Sequence, residues 1–171
     1  MTDPDFHDAF HRHKSVVYRF AYRMTGSSPV AEDVVQDCFV ALWRKPGAYD
    51  PAQGALRAYL LGIARNLILR RRRDERASEL LDDESFVCLP LDLVGRERAQ
   101  AVADAVQALP PLQREVLILA EYEEMALQEI AAVVKVELAA VKSRLHRARQ
   151  NLRRMLAPLL EVRGTLYGTQ K

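Results

Sequence analysis

EIAAVVKVELAAVKSRLHRA, residues 129–148, divides into two apolar-periodic segments around one basic residue, Lys135. Ile130, Ala131 and Val134 line one side of the first segment, and Val136, Val141 and Leu145 let a second segment pack across it. Two short helices crossed over a tight turn form a helix–turn–helix, which places the N-terminal part of its second helix in the DNA major groove. Lys142, Ser143, His146 and Arg147 then face outward, and Arg144 completes the candidate DNA-contacting set. Arg and Lys in such positions donate to guanine O6 and N7 or to phosphates. A basic face on an ordinary bundle helix produces the same run, so the pattern alone leaves both readings open.

Around this motif nearly everything reads as helix. Helical periodicity covers 95–108, closed by Pro110-Pro111, then 112–123, 126–134 and 138–160. Upstream, residues 77–94 lose that periodicity and mix acids with Pro90. Earlier still, Phe6, Phe10, Val17, Phe20 and Met24 mark a helix ending at Gly26. Ser28, followed by Pro29, caps a second helix running to about Arg44. KPGAYDPAQG (45–54) is a loop, and Leu56, Leu60, Ile63 and Leu67 carry a third helix into the arginine run 70–73. The expected fold is all-α: two small helical domains, 1–78 and 95–160, joined by a flexible linker at 79–94, with a tail at 161–171.

The charge distribution agrees. Net charge is only +2, yet basic blocks at 65–76 and 142–154 stand apart from acidic ones at 31–37 and 121–124. Two widely separated cysteines, Cys38 and Cys88, argue against a disulfide framework or a four-cysteine zinc site and fit a reduced compartment. With no signal-peptide core and no apolar run of ~18 residues, the expectation is a cytoplasmic chain without membrane insertion. His7 and His11 have metal-pair spacing, with His13 nearby, but lack an evident further ligand, so no metal is expected. EYEE (121–124) reads as a solvated helix end. No nucleophile motif, phosphate loop or dinucleotide fingerprint is present, which predicts no catalytic site and no cofactor.

On the second helix, Val30, Val34, Cys38, Ala41 and Leu42 share a core-facing sector. Glu32, Gln36, Phe39 and Trp43 fall on another side, flanked by Asp33 and Asp37. Aromatics beside carboxylates, outside the core sector, suit a protein-binding surface. Packing of Phe39 and Trp43 against the first helix is the competing reading.

Three stretches carry a family resemblance. LPPLQREVLILAEYEEMALQEIAAVVKVELAAVKSRLHRARQNL (109–152) resembles region 4 of extracytoplasmic-function (ECF) sigma factors. AEDVVQDCFVALWR (31–44) resembles their region 2.2, and LRAYLLGIARNLILRRRR (56–73) their regions 2.3 and 2.4, including IARN. The order and the intervening linker also fit. The resemblance implies a region 2 bundle and a region 4 helix–turn–helix in an alternative sigma factor. Its implied partners are core RNA polymerase, through the β′ clamp helices and β flap, promoter DNA, and an anti-sigma factor. By position, Asp33, Gln36, Asp37 and Phe39 would meet the clamp helices. Asn66 would read an unstacked −10 base beside Tyr59. Arg65, Arg70, Arg72 and Arg73 would hold the strand, with Asp74–Ser78 at the specificity loop. Lys142, Ser143, Arg144, His146 and Arg147 would address the −35 duplex. Lys135 stands where the family often has Gly, Glu137 where the cap is often Ser or Pro, and Ala139-Ala140 where Gly-Thr is usual, which leaves the −35 preference open. A stand-alone helix–turn–helix regulator explains only the C-terminal half, and a metal-dependent nuclease lacks convergent ligands.

Overall fold

Turn-forming residues set the boundaries of the first three helices. The computed structural model describes residues 3–75 and 98–166; the predicted linker 79–94 and the last residues of the predicted tail lie outside them. Helix α1 (Asp3–Thr25) closes at Gly26, whose φ of 71° is the left-handed conformation glycine takes with least strain. Helix α2 (Ser28–Arg44) is capped by Ser27, not Ser28: the Ser27 Oγ accepts from Val30 N at 3.4 Å. Ser28 Oγ is engaged with the Tyr18 hydroxyl at 2.9 Å. The following loop winds through two 3-10 turns, Pro46–Ala48 and Pro51–Gln53, and leads into α3 (Leu56–Glu75).

The C-terminal group comprises α4 (Arg98–Ala108), α5 (Pro111–Leu117), α6 (Leu127–Val134) and α7 (Leu138–Leu166). Helix α7 continues past Pro158 into the segment read from the sequence as tail. The helix expected at 112–123 is not uniform. After α5 the chain makes a π turn, Ile118–Tyr122, with Glu123 N donating to Ile118 O at 3.1 Å. The wider turn brings Glu123 inward, so the expectation of a solvated EYEE end fails there: Glu123 is buried. No strand occurs among the described residues.

Helices α1, α2 and α3 bury Phe20, Met24, Val34, Cys38, Leu42, Leu60 and Ile68 against one another. Burial pushes the Cys38 thiol up to about 12, so it is protonated at neutral pH. In the second group, Val116, Leu119, Ile130, Val134, Val141, Leu145 and Met155 form the corresponding interior. The two interiors are continuous. Arg114, itself buried, fastens them: it donates to Met24 O at 2.6 Å, to Leu109 O at 2.9 Å, and to Gln107 O. A guanidinium among carbonyls at the C-terminus of α1 also meets the negative end of that helix's dipole.

Candidate nucleic-acid interface

The helix–turn–helix forms as its apolar spacing requires. Ile130, Val134, Val141 and Leu145 are buried between α6 and α7. Lys135 turns the chain at φ 56°, and Val136 N donates to Ala131 O at 3.2 Å. Glu129 supports the start of α6 by accepting from Ala126 N at 3.1 Å. On α7, Lys142, Ser143 and His146 are exposed, and Arg147 reaches back to Ser143 Oγ at 2.9 Å. Arg144 corrects the sequence reading: its side chain is only 18% exposed, and Nη1 lies 3.7 Å from Glu115 Oε1. It sits one position beyond the outward pair 142–143, rotated by about 100° toward α5.

Helix α3 carries the second basic group. Arg70, Arg73 and Asn66 are exposed, while Arg71 pairs with Asp33 of α2 at 3.0 Å. Arg65, named from the resemblance as a strand-holding residue, is engaged within the protein. Its Nε and Nη2 meet the two carboxylate oxygens of Glu115 at 2.7 and 3.0 Å, and Glu115 is fully buried. A buried carboxylate needs such a partner, and the arginine fork supplies two parallel donors.

Next to Asn66 lies a cavity of about 320 Å³ lined by Tyr49, Asp50, Gln53, Tyr59 and Gly62. The Tyr49 and Tyr59 ring centroids are 5.5 Å apart. The sequence reading found Asn66 and Tyr59 but missed the contribution of loop 45–54. Its only cue was an aromatic, Tyr49, inside a Pro- and Gly-rich turn. Of the predicted specificity loop, Asp74 and Glu75 finish α3, and 76–78 lie outside the described residues.

On α2, Asp33, Gln36 and Asp37 are exposed as expected. Phe39 is not. It is 3% exposed, with its ring centroid 4.9 Å from Phe10 and 6.2 Å from Phe6. The first turns of α1 cover that flank of α2. Val40 and Trp43, 44% and 50% exposed, supply the apolar surface next to Gln36 instead. The His7 and His11 rings lie 4.4 Å apart. Burial, then the neighbouring Arg12 and Arg57, hold His13 below its ordinary value. No cluster of three metal-ligating side chains occurs among the described residues, and no helix there is long and apolar enough to cross a membrane.

Comparison with known proteins accounts for both domains. The family model of Sigma-70 region 2 matches residues 9–78, and that of Sigma-70 region 4 matches residues 99–152. The ECF RNA polymerase sigma factor SigE of Mycolicibacterium smegmatis is 35% identical over 162 residues, covering 90% of this chain. The chain spans 62% of that relative's length. SigL of Mycobacterium tuberculosis, another ECF sigma factor, is 31% identical, with 88% of each chain covered. Among solved structures, the sigma factor RpoE of Bartonella quintana, in complex with the anti-sigma factor NepR, superposes with a TM-score of 0.72. It is 26% identical, with 90% of this chain and 97% of that one covered.

Proposed function

We infer, because the chain belongs to the family of ECF RNA polymerase sigma factors, that it binds core RNA polymerase and directs transcription initiation at a particular set of promoters. The observation that carries this is the presence of region 2 and region 4 in order on one chain. A stand-alone regulator would leave the entire N-terminal match without a role.

In this reading the α2 face docks on the β′ clamp helices. Asp33, Gln36 and Asp37 make the polar contacts; Val40 and Trp43 supply the apolar ones in place of Phe39. Region 4 contacts the β flap. The cavity of Tyr49, Tyr59 and Asn66 takes a base of the −10 element that has left the stack. Aromatic walls repay part of the few kcal/mol lost on unstacking, and the Asn amide reads a base edge. Arg70, Arg72 and Arg73 hold the strand's phosphates. Lys142, Ser143, His146 and Arg147 enter the −35 major groove. An anti-sigma factor is the expected regulator, and the protein contributes no chemistry of its own.

The test is in vitro transcription with core polymerase over a genomic promoter library, beside core-binding measurements on Gln36→Ala/Trp43→Ala. Both side chains are exposed, so circular dichroism should be unchanged. Two hot-spot losses of about 2 kcal/mol each lower core affinity more than a hundredfold. Wild-type affinity in the folded double variant excludes this face as the docking surface.

A further inference from the structure

The first turn of α7 presents one side chain that the polar and basic set leaves out. Ala139 is exposed, one residue into the helix that begins at Leu138. At about 100° per residue, Lys142, His146, Ala139 and Ser143 follow one another around the helix within a sector of about 100°. Ala139 therefore lies inside this sector and not at its edge. All four side chains are exposed, whereas Val141, Leu145 and Ala148 on the opposite side are buried. A rise of about 1.5 Å per residue puts Ala139 about 4–6 Å nearer the helix start than Lys142 and Ser143. A recognition helix contacts base edges with its N-terminal residues. The exposed sector of α7 thus leads with a methyl group and follows with hydrogen-bonding side chains.

A methyl group neither donates nor accepts, which restricts what it can face. The apolar feature that a base pair offers in the major groove is the C5 methyl of thymine. Cytosine at the same place presents its N4 amino group, which loses water against a methyl without gaining an acceptor. We propose that Ala139 is a specificity-determining residue of the −35 contact, packing its methyl against that of one thymine and disfavouring cytosine there. This rests on the −35 role proposed for α7. Glycine, usual at this place in the family, has no methyl to offer, so the preference belongs to this chain and not to the resemblance. Lys142, Ser143 and His146 donate to acceptors on the neighbouring bases, while Ala139 distinguishes the two pyrimidines.

The experiment uses holoenzyme assembled from core polymerase and the full chain. Duplexes are selected from a pool randomised across the −35 segment, and each thymine of the selected element is replaced in turn by deoxyuridine. That change deletes the C5 methyl and keeps every hydrogen-bonding group. One such replacement is expected to weaken wild-type binding about fourfold, the effect of exposing one buried methyl, and cytosine there to weaken it further. Ala139→Gly should bind the thymine and deoxyuridine duplexes equally. Ala139→Ser, whose hydroxyl accepts from N4, should recover binding to the cytosine duplex. The serine variant keeps the β-carbon and serves if glycine frays the start of α7. A methyl-sensitive thymine that is equally sensitive in Ala139→Gly overturns the assignment, as does an element without any methyl-sensitive thymine. Lys142→Ala/His146→Ala separates that failure from a failure of the −35 role itself. If this variant selects the same sequences as wild type, α7 leaves the groove and Ala139 with it; if its selection changes, the role of α7 stands even where Ala139 fails.

Discussion

Lys135 holds the turn of the helix–turn–helix at φ 56°, where a side chain crowds its own backbone and glycine does not. Lys135→Gly relieves that crowding but gives the unfolded chain more freedom, so the net gain is about 0.5–1 kcal/mol. A rise in the urea midpoint with an unchanged slope is the expected readout. The sequence marked this position, because a lysine where glycine is usual is visible without coordinates. Phe39 was less legible. It lies about 100° round the helix from Cys38, at the edge of the core sector, and rotation alone cannot say whether another element covers an edge. The answer came from Phe6 and Phe10, whose own spacing had been used only to define α1. The engagement of Arg144 and Arg65 by Glu115 was illegible for a related reason. An arginine is assigned to solvent by default, and only a buried acid such as Glu115 reverses that assignment.

At the scale of the helix, period and punctuation were enough to place nearly every element, since Gly26, the prolines of loop 45–54 and Pro110-Pro111 interrupt the apolar pattern at its ends. The π turn at Ile118–Tyr122 was invisible. Its flanking run, Val116 to Ala120, is apolar throughout and carries no phase from which an extra residue per turn can be noticed. The end of α3 carries a prediction of its own. Arg70 and Arg73 are exposed on its last turns, so Arg70→Ala/Arg73→Ala should leave the fold intact. Each lost phosphate contact lowers the steepness of the log affinity–log salt relation of the polymerase–promoter complex by about 0.7–0.9. An unchanged steepness makes the run a solvated helix end.

For the whole molecule, the decisive contacts join residues far apart in sequence. Periodicity is a local signal, so it supported two helical domains on a flexible joint and was silent about Arg114 reaching the end of α1. Truncating Arg114 leaves the Met24, Gln107 and Leu109 carbonyls without their donor in a buried setting. Arg114→Met should therefore cost about 2–3 kcal/mol. Because the side chain ties both domains, calorimetry should show the loss across the whole transition, not as a separate early step confined to region 4.

Trp43 is the sole tryptophan in the chain, half exposed on the α2 face and edge-on to Phe6 at 4.9 Å. The protein thus carries a native fluorophore on the surface assigned to polymerase, and none in region 4. Excited at the red edge of indole absorption, the free protein should emit as a partly hydrated indole and be open to quenching by iodide. When a partner covers α2, the emission should move to the blue and the quenching should fall. Binding of duplex DNA to α7 should change neither. Optical titration therefore distinguishes occupancy of the two ends of the molecule without a label.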